Sequence, residues 1–243
     1  TCMVAGHGAQ HASIVVRLSG STTMKGKVVM GSNACLFCQT PLHRTFVDLG
    51  MHPLCESYVS QDRLDHMEPF YPLHVYVCEN CWLVQLHEYV SPSDIFTEYA
   101  YFSSYADSWV QHAKRYTDMI AERLALEPAA NVAEVARKKN VPTLVKFFGK
   151  QTAVELVEQG KKADLIAGNN VLAQVPDLND FVGGIKLLLA PQGVVTIEFP
   201  HLMKLMEENQ FDTIYHEHFF YFSLLSAERV FAAHGLALFD VEE

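Results

Sequence analysis

Residues 151–197, QTAVELVEQGKKADLIAGNNVLAQVPDLNDFVGGIKLLLAPQGVVTI, pass twice from helical to extended patterning. Gln151–Gln159 reads as a helix ending at Gly160, and Ala163–Ala167 follows as a short apolar run. Asp180–Leu189 repeats the helical pattern, and beyond the turn at Gly193 the β-branched run Val194–Ile197 reads as a second strand. Immediately upstream, a helix over Pro128–Lys139, opened by proline and closed at Asn140, leads into Val141–Val145. Helices and strands that alternate in this way build a doubly wound, mostly parallel α/β sheet, because each parallel crossover needs a helix to carry the chain back to the same end.

Working outward, residues 89–126 form a bridge. Ser104 and Asp107 make an S-x-x-D capping signal, and Trp109, Ala113, Tyr116, Ile120 and Leu124 recur at spacings of four, three, four and four. That spacing puts them on one face of an amphipathic helix. From residue 34 to 88 the chain instead alternates short apolar runs with turn residues, as in Pro72-Leu-His-Val-Tyr-Val77, which suits a small β-rich module. Residues 1–33 carry no sustained periodicity apart from a possible strand at Ser13–Leu18, and they read as a leader or extraneous segment, with Met24 and Met30 as alternative starts.

Four of the six cysteines fall into two C-x-x-C pairs, Cys35/Cys38 and Cys78/Cys81. Each pair sits on a tight knuckle that aims two thiolates at one ion, and two knuckles complete a tetrahedral four-sulfur zinc site. The usual separation is roughly 12 to 20 residues. Here Cys38 and Cys78 lie 40 positions apart, so the insert must form hairpins of its own. A redox disulfide pair is the competing reading, but a single redox C-x-x-C needs no second copy. Cys2 and Cys55 read as bystanders.

Eighteen Lys and Arg against 28 Asp and Glu, a formal charge of −10, argue against nucleic acid or an anionic membrane surface as partner. No apolar run approaches the roughly 18 residues of a spanning helix. A cytoplasmic protein is the expectation.

These pieces together carry a resemblance. Cys35-Leu-Phe-Cys38 with Cys78-Glu-Asn-Cys81, Tyr101-Phe-Ser-Ser-Tyr105, Asp164-Leu-Ile-Ala-Gly-Asn-Asn-Val-Leu172, Glu198-Phe-Pro-His201 and Tyr215-His-Glu-His-Phe219 resemble, in order, the zinc-containing sugar C-methyltransferases. The resemblance implies an S-adenosylmethionine-dependent enzyme that methylates C3 of a dTDP-linked 4-keto-6-deoxy sugar in antibiotic-sugar biosynthesis. It also implies a class I, Rossmann-like methyltransferase domain, here residues 127–243, behind the zinc module. Members carry a glycine-rich first strand and a C-terminal domain; neither is found in this sequence, which reads as an incomplete member. A catalytically inactive zinc-binding fragment or interaction module therefore stands as the second reading. The oligomeric state is left open.

By the same resemblance, Glu127 corresponds to the acid that binds the cofactor ribose, and Tyr101 and Tyr105 reach cofactor or sugar, though stapling the bridging helix to the core explains the two tyrosines equally. Asn169 and Asn170 follow a strand, where ligands bind in open α/β sheets, though turn chemistry explains them equally. Methylation next to a ketone needs a base for the α-proton and a donor for the enolate oxygen. By resemblance His218 is the base, with Tyr215 and Glu217 in support; Gln174 stands where relatives often have His and cannot exchange a proton at neutral pH. Two other readings remain: His216 and His218 as backbone-bonded residues of an aromatic-rich strand, or as an H-x-H metal pair.

Overall fold

The computed structural model describes residues 11–19, 33–55, 57–96, 125–126, 134, 137–138 and 140–242. In chain order the described elements are β1 (His11–Leu18), β2 (Arg44–His52), β3 (Tyr71–Val77), β4 (Val84–Leu86), α1 (Pro92–Phe96), β5 (Ala125–Leu126), β6 (Thr143–Leu144), α2 (Lys150–Glu158), β7 (Ala163–Asn169), α3 (Leu178–Leu188), β8 (Leu189–Pro200), α4 (Leu202–Glu207), β9 (Phe220–Tyr221), α5 (Leu224–Ala233) and β10 (Leu236–Glu242). The bridging helix expected around Trp109, and most of the one expected over 128–139, lie outside the described residues.

The chain divides into two compact units. One comprises Thr1–Cys55, Met67–Tyr89 and Phe148–Glu243, and the other Glu56–His66 and Val90–Phe147. In the second unit β5 and β6 pair in parallel as a two-stranded sheet of their own, and the Arg137 guanidinium donates to the Thr143 carbonyl at 2.7 and 3.1 Å.

The first unit holds two four-stranded sheets. The larger has the order β10-β1-β8-β7. β7 and β8 run parallel, as the alternating pattern predicts, and β1 is antiparallel to both β8 and β10. The four described strands of this sheet are three in one direction and one reversed, and the reversed strand comes from the segment read as a leader. β8 and β10 do not pair with each other, so their facing edges leave a slot of unpaired amides and carbonyls. His11–Leu18 fills it, with Ala12, Ile14 and Val16 turned into the core at 4%, 0% and 0% exposure. A lone strand without regular neighbours in sequence gives no period longer than itself, which is why it read as a leader.

The helices of this unit follow local rules. Asp177 caps α3 by accepting the Asp180 amide at 2.8 Å, and Ser223 and Ser226 form a reciprocal capping box on α5. Gly184 lets α3 approach the start of α2, since a Cβ there would lie 2.7 Å from the Gly149 carbonyl carbon.

The smaller sheet has the order β2-β3-β4-β9. Its β2–β3 pair is a hairpin within the insert between the two C-x-x-C pairs. Its last strand comes from far along the chain: Val84 and Gln85 of β4 pair with Tyr221 and Phe220 of β9. Leu73, Val75, Val84 and Leu86 then share one core with Leu202, Leu205, Ile214 and Tyr221. Each such side chain contributes about 1.5–3 kcal/mol by leaving water, so this shared core fastens the cysteine module to the segment around residue 215.

Candidate metal centre and active site

The four cysteines converge. Cys35, Cys38, Cys78 and Cys81 bring their Sγ atoms within 4.8 Å of one another, with the Cys35–Cys81 and Cys38–Cys78 pairs at 3.6 Å. A tetrahedral zinc with bonds near 2.3 Å needs its sulfurs about 3.8 Å apart, so the donor set and its dimensions fit zinc.

Both knuckles are built alike. The amide of Gln39 donates to the Cys35 carbonyl and that of Trp82 to the Cys78 carbonyl, each at 2.9 Å. Gln39 and Trp82 both adopt left-handed backbone, at φ 61 and 63. The turn is returned by the amides of Cys35 and Cys78, which donate to Thr40 and Leu83. Cys35, Cys78 and Cys81 are buried. The hydrogen bond from Cys81 holds the Cys35 thiol down at about 5, while that same bond and burial push Cys81 up. Within that pair the negative charge is favoured on Cys35, and a divalent cation is what would stabilise four thiolates together.

Side chains not singled out in the sequence surround this cluster. Gln85, 1% exposed, donates from Nε2 to Cys35 Sγ at 3.1 Å and accepts the Leu36 amide at 2.7 Å. Asn179 of α3 donates to the Phe37 carbonyl at 3.0 Å and accepts from His234 Nε2 at 2.9 Å. Neither carries a spacing signal, because each reaches the knuckle from a remote element.

The second cluster lies at the carboxyl ends of β7 and β8. Asn169 pairs with Glu198 in register and donates to its carboxylate at 3.0 Å. The Asn170 amide donates to the Glu198 carbonyl at 2.9 Å, and Asn170 takes φ 54. Its Oδ1 is buried with no hydrogen-bond partner among the described residues. That orphaned acceptor lies at the strand end where open α/β sheets bind ligands. The turn Leu172–Gln174, which includes Gln174, then receives the Phe219 amide on the Ala173 carbonyl at 2.8 Å. On the other side the Leu202 amide donates to the Phe222 carbonyl at 2.9 Å. These two bonds seat residues 215–222 across the strand ends.

Within that segment Tyr215 and His218 come together: Tyr215 Oη is 2.9 Å from His218 Nε2, and their rings lie tilted by 32° with centroids 4.1 Å apart. His218 Nδ1 lies 2.9 Å from the Thr213 carbonyl, which only accepts. Nδ1 therefore carries the proton, and Nε2 is the basic nitrogen, receiving the Tyr215 hydroxyl. His216 donates from Nε2 to the Pro72 carbonyl at 3.2 Å, and burial lowers its pKa. Both histidines are thus backbone-bonded, as one of the two other readings has it, but in a turn rather than a strand. Their ring nitrogens are directed to different partners, and among the described residues only the four cysteines form a metal-ligating group. Glu217 is buried at 2% exposure. Glu198 and His201, at 6% and 7%, join this end of the sheet and were not among the site residues read from the sequence. Glu127, Tyr101 and Tyr105 lie outside the described residues.

No helix among the described residues is long and apolar enough to cross a membrane. Compared with known proteins, residues 35–96 match a family described as "Putative zinc binding domain", and residues 90–241 match one described as a methyltransferase domain. The chain is 32% identical over 244 residues to the C-methyltransferase NovU of Streptomyces niveus, in an alignment covering 88% of this chain and 58% of that protein. It thus spans a little over half the length of that relative.

Proposed function

Because the chain belongs to this methyltransferase-domain family, whose cofactor is S-adenosylmethionine, and carries a zinc-binding module ahead of that domain, we propose that it is a sugar C-methyltransferase. Its substrate in this reading is a dTDP-linked 4-keto-6-deoxy sugar methylated at C3, in cytoplasmic deoxysugar assembly for an antibiotic. The observation that carries it is the Tyr215–His218 pair, 2.9 Å apart at the carboxyl ends of β7 and β8. A ketone acidifies the neighbouring carbon, and the task left to the protein is to take that proton and hold the enolate.

The Thr213 carbonyl pins the imidazole with Nε2 facing the phenol. As the sugar C3–H bond breaks, its electrons pass into the enolate. Its proton goes to Tyr215 Oη while the phenolic proton moves to His218 Nε2. When bound, S-adenosylmethionine would supply the electrophilic methyl for the carbanionic carbon, the S–CH3 bond breaking to release neutral S-adenosylhomocysteine. Glu217, buried beside the pair in sequence, supports it. Glu127, Tyr101, Tyr105, Asn169 and Asn170 are the proposed cofactor contacts, Asn170 Oδ1 being a buried acceptor without a partner among the described residues.

One observation favours the second reading, an inactive zinc-binding fragment or interaction module. Within the first unit no described strand pairs with the outer edge of β7. Calorimetric titration of the folded, zinc-loaded chain with S-adenosylhomocysteine decides between them. Saturable binding supports the enzyme, and absence of binding leaves the fragment.

A further inference from the structure

We infer that Gln85 couples the four-cysteine centre to the segment bearing Tyr215 and His218, so that metal occupancy sets the order of the strand beside the candidate base. Gln85 is a neutral amide with both ends engaged in the same knuckle. Its Nε2 donates to the Cys35 sulfur at 3.1 Å, and its Oε1 accepts the Leu36 amide at 2.7 Å. A donor to a ligating thiolate spreads its charge and fixes its direction, and such outer partners are worth about 10–100-fold in metal affinity. No other side chain type of this size serves both atoms. A carboxylate at this place would face the thiolate charge, and an apolar chain would strand the buried Leu36 amide.

The same residue's backbone carries the other half of the coupling. Gln85 pairs with Phe220 across β4 and β9, and the neighbouring Leu86 amide donates to the Phe219 carbonyl at 2.8 Å. Phe219 directly follows His218, and its own amide is held by Ala173 at the end of the larger sheet. One short strand therefore links the cysteine cluster to the Tyr215–His218 turn. β9 has two residues, so it depends on β4 for its pairing. Residues whose only role is to fill space would leave the metal indifferent to their polar atoms.

The inference rests on the four-cysteine site and not on methyl transfer, so its test reads metal and amide exchange rather than turnover. In full-length Gln85→Met, zinc release to a chromogenic chelator should quicken about 10–100-fold. In the cobalt-substituted protein the thiolate-to-metal charge-transfer band should shift, and amides of residues 219–221 should exchange faster. Unchanged release and an unchanged band overturn the inference, as does altered metal behaviour with unchanged exchange at 219–221. Should Gln85→Met fail to fold, the parent chain decides. Zinc removal must raise exchange at 219–221 ahead of 195–197 in β8; equal protection with and without zinc, or a simultaneous rise in both segments, overturns it.

Discussion

Ile14 of β1 and Ile197 of β8 face each other in register, at 0% and 1% exposure. The N-terminal strand is thus part of the core of the larger sheet, with Val16 opposite Val195 one pair further along the same face. Ile14→Ala should destabilise the protein by about 2–5 kcal/mol, the range for a large-to-small change in a closed core. Urea unfolding followed by circular dichroism measures it. A loss below about 0.5 kcal/mol, typical of a surface substitution, would show that β1 is not docked.

The Tyr215–His218 bond makes a kinetic statement. His218→Ala removes the final proton acceptor and should abolish deuterium exchange at the sugar carbon next to the ketone. Tyr215→Phe keeps the ring contact but removes the hydroxyl, and should slow that exchange by about 10²–10⁴-fold, the usual weight of a positioned acid or base. Exchange at the parental rate in His218→Ala would remove it from the role of base.

Stability should fall on acidification below about pH 6.5. Burial is the first cause lowering the pKa of each of His87, His216 and His234 in the folded protein below the ordinary value of 6.5. Below that value the unfolded chain takes up protons the native protein refuses, so it binds more of them and gains ground as pH drops. Above about 6.5 both states are neutral at these positions and the contribution is fully present. Urea midpoints between pH 7.5 and 5.5 should decline, and the decline should be shallower in His216→Asn. A flat profile would show these rings to be open to solvent.

Metal analysis of the purified chain should give one equivalent of zinc. Cys78→Ser with Cys81→Ser removes one knuckle's donors and should bring the content to background. Because β4 follows the second knuckle and shares its core with Leu202 and Ile214, the same variant should also lose protection along β3 and β4 in hydrogen exchange. Retained zinc would refute the four-sulfur centre.

Much of the site was legible in the sequence, for local reasons. The two C-x-x-C pairs announce their knuckles because ligand spacing is a property of a few successive residues. The i, i+3 relation of Tyr215 and His218 likewise lies within one turn. Gln85, Asn179 and the orphaned Asn170 Oδ1 were not legible, since each owes its place to an element distant in the chain.

The sequence by itself determined the helices and strands of 150–200, the cysteine donor set and the position of the Tyr-His-Glu-His segment, all from periods of two to four residues. Only the tertiary structure decided that His11–Leu18 lies between β8 and β10, that β9 closes the cysteine module's sheet, and that Nε2 of His218 is the basic nitrogen. Those outcomes depend on which strand edges remain open, which apolar faces remain to be buried and which carbonyl reaches a ring nitrogen. Such pairings join residues as far as 229 positions apart, as Ser13 and Glu242 are, and no local pattern encodes them.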